Sequence, residues 1–230
     1  MGGFIHIAAL RCTDSRAVAD AVVRYAAGHG VPAEVVPTGA GDRSDVASVG
    51  HPDDGWSVVD WPRSFAGPAK ATRWLSGELG VVASLAEYYD GDDWNHMAFD
   101  CGEVRDRYAS DPDGQTSELT TLAEARHRWA GDAAVVAAVF ERRTEEIAPY
   151  FARPRPLRRV WARLLGAPPH GVKAWPDDQF HLDDPWVFVD FWKRLGINYP
   201  DDPANPDHWA FGVRFAAPGS KSLPYDTSTD

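Results

Sequence analysis

His181 and Asp183, one residue apart, pair an imidazole with a carboxylate, the ligand types that hold zinc or iron. His170 and Asp184 lie close by in sequence. The competing role is structural, because Asp184 stands directly before Pro185, where a helix cap belongs. His96 shares one pleat face of an expected strand with Trp94 and Ala98. A cleft on that face would make His96 a general base, and Trp94 a binding ring of the kind enriched at hot spots. Without a cleft, His96 is a packed or hydrogen-bonded core histidine. Arg153, Arg155, Arg158, Arg159 and Arg163 form a basic run with no acid inside it. Arg158, Arg159 and Arg163 fall on the polar face of an amphipathic helix, where they suit a phosphate-bearing ligand or an acidic partner. The same arginines could pair within the chain with Asp177, Asp178, Asp183 and Asp201. Cys12, beside Arg11 at a strand-to-helix junction, has the setting of a reactive thiol, but no C-x-x-C partner exists and a small buried residue explains it as well.

Other constellations fail on a named residue. Gly39-Ala40-Gly41 hints at a phosphate loop, but the third glycine is replaced by Ser44. Asp90, Asp92 and Asp93 begin like a calcium loop, but Asn95 and Cys101 occupy the positions that need Gly and Glu. Val46-Ala47-Ser48-Val49-Gly50 lacks the first glycine of a nucleophile elbow. There is no H-E-x-x-H and no Walker A loop. No catalytic set is assigned and no cofactor is predicted.

The elements that must position these residues are legible from periodicity and punctuation. Phe4–Leu10 alternates as a strand, and Asp14 or Ser15 caps a helix to about Ala27, which Gly28, Gly30 and Pro32 end. Ala33–Pro37 is a short strand, and 38–55 reads as a Gly-, Asp- and Ser-rich surface loop. Trp56–Trp61 is the next strand. Pro68 opens a helix to Leu79 with Gly80 just past its end, and Val81–Tyr89 follows as a strand. This β-α-β-β-α-β order is that of a ferredoxin-like unit. A meander then adds strands at Trp94–Phe99 and Val104–Tyr108, with Asp90–Asp93 and Asp100–Glu103 as tight turns. Helices are expected at Ala133–Arg142, Glu145–Phe151, Pro156–Leu165 and from Asp184-Pro185 to Leu195. The last is apolar nearly all round and should be deeply buried. Residues 200–230 are rich in Pro and Asp and read as a surface wrap or a frayed tail. The fold class is α+β: an antiparallel or mixed sheet over 1–115, with a helical portion over 116–230 packed on it as one compact unit.

The chain has 230 residues, 44% hydrophobic, enough for a real core. Ten Trp and ten Phe supply large rigid groups, which fill cores and also anchor binding surfaces. A net charge of −11 argues against nucleic-acid binding and would suit a basic protein partner. Only Cys12 and Cys101 are present, the start MGGFIHIAALRCTDS has no signal-peptide pattern, and no apolar run reaches about 20 residues. The expectation is a cytoplasmic protein with no membrane contact. The sequence sets no oligomeric state.

Three segments carry a resemblance. They are YYDGDDWNHMAFDCGEVRDRYASDPD, Trp129-Ala130-Gly131-Asp132, and WPDDQFHLDDPWVFVDFWKRLGINYP. In this order they resemble a group of bacterial hypothetical proteins with no established activity, so no site residues carry over. The acidic, Trp-rich α+β composition is more loosely similar to bacterial immunity and regulatory proteins. The missing catalytic motifs, the strong negative charge and the abundant Trp point to a non-enzymatic binding protein of the immunity or regulatory kind, acting through a protein partner. The alternatives are a metal-dependent hydrolase around His96 and His181, and a phosphate or small-molecule binder using the arginine run.

Overall fold

The computed structural model describes residues 4–38, 45–63, 65–89, 93–116, 121–152, 171–200 and 205–216. The elements run β1 (Phe4–Leu10), α1 (Ser15–Gly28), β2 (Ala33–Val36), β3 (Val46–Gly50), β4 (Ser57–Asp60), α2 (Pro68–Leu79), β5 (Val82–Tyr89), β6 (Asp93–Asp100) and β7 (Glu103–Ala109). They continue with α3 (Leu122–Arg128), α4 (Ala133–Phe140), α5 (Thr144–Ile147), α6 (Val187–Leu195) and β8 (Trp209–Phe215). Local chemistry explains most boundaries. The Asp14 carboxylate accepts the Ala17 amide at 3.0 Å and starts α1. Pro68 occupies the first turn of α2, and Gly80 ends it at φ 64°. Thr121 and Glu124 form a reciprocal capping box on α3. Cys101 and Gly102, at φ 49° and 85°, make the two-residue turn between β6 and β7, where two successive positive φ angles match the strand twist.

The eight strands form one open antiparallel sheet in the order β2-β8-β3-β4-β1-β5-β6-β7. Two strands differ from the sequence reading. The stretch taken as a 38–55 loop contains β3, and the stretch taken as a tail contains β8. The initial order is therefore β-α-β-β-β-α-β, one strand more than the ferredoxin-like expectation. β8 lies between β2 and β3, antiparallel to both, with Val213 opposite Val35 on one side and Ala47 on the other. A Cβ on Gly212 would lie 2.9 Å from Val36 Cγ2 and 3.1 Å from Val46 Cγ1, so glycine lets the neighbouring side chains close over the strand.

The chain divides into two compact units with interleaved segments. The first takes Phe4 and the described residues of 86–97 and 105–198, and the second those of 5–85, 98–104 and 199–216. The expected boundary near residue 115 falls inside the first. In the second unit, Ile7, Val18, Val22, Val49, Val59, Leu75 and Val213 are buried, and Trp61 stacks on Phe65 with centroids 4.6 Å apart. In the first unit, Trp94, Tyr108, Phe140, Tyr150, Phe191 and Trp192 form an aromatic core. The expected burial of the late apolar helix holds: α6 buries Val187, Phe188, Asp190, Phe191, Trp192 and Leu195. The expected helix at 156–165 lies outside the described residues.

Candidate functional site: a cationic cleft

The first unit carries an open cleft of about 580 Å³, lined by Arg142, Arg143, Glu145, Glu146, Trp175, Lys193, Arg194 and Gly196. Its walls are the ends of helices. The apolar run AAVVAAVF makes α4, which stops where Glu141 turns left-handed at φ 57°, and Arg142 and Arg143 follow at once. The last turn of α6 contributes Lys193 and Arg194, and Gly196 ends that helix at φ 77°. Cations belong at such positions because unpaired carbonyls leave a helix C-terminus partly negative. Arg142 Nη2 donates to the Leu195 carbonyl at 3.1 Å. A Cβ on Gly196 would collide with that same nitrogen, so glycine is needed both for the helix end and for the guanidinium lying across it.

One wall is fixed by a buried carboxylate. Asp178 is 3% exposed. Its Oδ2 accepts the Tyr150 hydroxyl at 2.8 Å and the Trp175 amide at 2.9 Å, and its Oδ1 accepts Arg194 Nη2 at 2.7 Å. Arg194 Nε donates to Tyr150 Oη at 3.3 Å, and its guanidinium lies 5.5 Å from the Trp175 ring centroid. Trp175 Nε1 in turn donates to the Glu146 carbonyl at 3.2 Å. Burial works against the Arg194 charge, but the hydrogen bonds to Tyr150, Asp178 and Asp177 outweigh it and hold the group cationic. Burial raises the pKa of the Tyr150 hydroxyl well above its ordinary value, so it stays a donor. Asp190 of α6 pins the same loop by accepting the Gln179 and Phe180 amides at 3.0 and 2.6 Å. The result is a rigid guanidinium beside an aromatic face, with Arg142, Arg143 and Lys193 exposed around it. No Ser, Cys or His lines the cleft among the described residues. The arrangement can bind and orient an anionic group.

The residues singled out from sequence fall elsewhere. Trp94 and His96 share one face of β6, as their spacing implies, but that face is packed: Trp94 is 2% exposed and His96 0%. The His96 ring sits 4.8 Å from Phe191 and 6.3 Å from Phe140, centroid to centroid. Burial lowers its pKa to about 3, so the imidazole is neutral. His181 and Asp183 both lie against Gly171, where a Cβ would collide with Asp183 Oδ1 and with His181 Cβ. Among the described residues, no group of three or more His, Cys, Asp or Glu is placed to hold a metal ion. Arg158, Arg159 and Arg163 lie outside the described residues. Asp177 and Asp178, two of the acids considered as partners for that run, both pair with Arg194. Sequence reasoning passed over Arg142, Arg143, Lys193 and Arg194 because each reads as an ordinary helix-end cation. The usable signal was the pair of strings ERR and KRLG, each closing an apolar helix.

Comparison of the chain with protein-family models, with curated proteins and with solved structures finds no match.

Proposed function

We propose that this is a non-enzymatic binding protein that receives a carboxylate or phosphate group of its partner in the cleft between the α4–α5 junction and the end of α6. The observation that supports it most is that four cations, Arg142, Arg143, Lys193 and Arg194, outnumber the two acids, Glu145 and Glu146, lining one concavity in a chain of net charge −11. In an acidic protein, such a cluster is where an anion finds a locally favourable field. Arginine also offers a planar fork of donors that matches either oxyanion. Of the partners anticipated from sequence, this reading takes the anion-bearing one over the basic one. It moves the phosphate-binding role from the 153–163 run to the helix ends. It is compatible with the immunity or regulatory kind of role expected from the sequence, since such a role needs recruitment and no chemistry. The hydrolase alternative is disfavoured by His96, whose ring has no surface from which to meet a substrate.

The test is a titration with inorganic phosphate, followed by backbone amide shifts. Saturable shifts confined to Arg142–Glu146, Trp175 and Lys193–Gly196 are expected. Arg142→Ala should weaken binding by about tenfold, the size of a lost charge-assisted hydrogen bond. Shifts that are absent, or that persist unchanged in Arg142→Ala, would overturn the reading.

A further inference from the structure

We infer that Asp177 is a resident stand-in for the ligand's anionic group, a carboxylate of the chain itself that occupies Arg194 until a partner displaces it. This inference rests on the cleft being an anion site and names what holds its guanidinium before a partner arrives.

The geometry separates two neighbouring aspartates on one nitrogen. Arg194 Nη2 donates to Asp178 Oδ1 and to Asp177 Oδ1, both at 2.7 Å. The Asp178 side chain is 1% exposed and that of Asp177 is 63% exposed. Asp178 belongs to the fold, since it also holds Tyr150 and the Trp175 amide. Asp177 makes no comparable structural contribution, because an exposed pair adds little to stability. Arg194 is already oriented by Asp178, by Tyr150 and by the Trp175 ring. What Asp177 does is fill the solvent side of a guanidinium that lines the cleft, with the same chemical group an anionic partner would bring. The Arg194 hydrogen bond holds the Asp177 pKa below the ordinary value, so the stand-in remains a carboxylate at neutral pH. An incoming carboxylate or phosphate exchanges one Arg194–oxygen contact for another while gaining Arg142 and Lys193. The exchange keeps the buried half of the network intact and needs no rearrangement of α6.

The experiment is the phosphate titration repeated on Asp177→Asn and Asp177→Ala, with the indole N–H of Trp175, assigned by its loss in Trp175→Phe, as the reporter beside Arg194. Removing the competing charge should tighten phosphate binding by about two- to fivefold, the strength of an exposed ion pair. A parallel titration with acetate separates the two ligand sources: tightening for acetate alone assigns the seat to carboxylates, and tightening for phosphate alone assigns it to phosphates. If both variants bind phosphate and acetate with the wild-type affinity, the stand-in role is wrong while the cleft reading survives. If wild type and variants alike show no saturable shift, the cleft reading itself is wrong. Tightening in Asp177→Ala that is absent in Asp177→Asn would also overturn the stand-in role, because it would trace the effect to bulk rather than charge.

Discussion

Two regions of the first unit bury polar groups in opposite ways. In the loop after Trp175, both oxygens of the buried Asp178 are engaged, by Tyr150, Trp175 and Arg194. In the strands β6 and β7, polarity is buried without full compensation. Asn95 is 1% exposed and, among the described residues, neither of its amide atoms finds a hydrogen-bond partner, while Asp106 accepts the Asp132 amide at 2.7 Å through Oδ1 and its buried Oδ2 finds none among them. Burial raises the Asp106 pKa to about 6, with the nearby Asp132 charge adding to it. The contrast shows where this fold invests specificity. A satisfied network fixes one geometry and is costly to break, whereas an unsatisfied group is a standing cost that a suitable substitution removes.

The largest effect expected is at the satisfied network. Asp178→Ala should destabilise the protein by about 3–5 kcal/mol in urea unfolding, because it leaves Arg194 without its buried partner. A loss under about 1 kcal/mol would erase the contrast. Next is the pH dependence of Asp106. Its folded pKa of about 6 lies above the unfolded value of about 3.9, so the folded state binds more protons between those limits. Stability from this group is therefore fully present below about pH 4 and is lost as pH rises through 6. His96 works in the opposite sense. Its folded pKa of about 3 lies below the unfolded value of about 6.5, so its contribution is lost as pH falls through that window. The two slopes oppose each other between about pH 4 and 6 in the wild type. Asp106→Asn should remove one and expose a clear loss of stability on acidification. Parallel profiles for variant and wild type would show that Asp106 titrates normally.

A smaller, stabilising effect is expected at the unsatisfied site. Asn95→Leu, which keeps the heavy-atom count and branching of the side chain but is bulkier, should gain about 1 kcal/mol by replacing an unpaired buried amide with apolar surface, net of the packing cost of the larger methyl groups. A loss of stability there would mean that the amide is bridged by internal water. The floor of the series is Glu145→Ala. It breaks an exposed 3.5 Å pair with Arg143 and should change stability by less than about 0.5 kcal/mol.

The uneven legibility of the sequence has the same physical root as these contrasts. The strands β5 to β7 and the helices α1 and α2 announce themselves through local rules: alternation, an Asp cap, Pro at a helix start and Gly past its end. β3 and β8 carry no such signal. Ser48 and Gly50 make one look like loop, and Gly212 interrupts the other. What makes them strands is each other and β2, and Glu34 reaches Arg214 across 180 residues. The cleft was hidden for a related reason. Arg142 and Gly196 each have a sufficient local explanation, and only the fold lays one across the other. His96 shows the converse: its face on β6 was readable, but whether that face met solvent or Phe191 was not.

The place of β8 also bears on how the polypeptide is made. During synthesis β2 and β3 leave the ribosome long before the strand that joins them. Until Trp209–Phe215 follows, both present open backbone edges, and their sequences offer no proline to discourage pairing with another chain. This half of the sheet can close only late, from contacts of very long sequence separation, which slows folding. A nascent chain halted before Trp209 should therefore be held soluble by chaperones or lost to aggregation, although nearly all of its helices are already encoded.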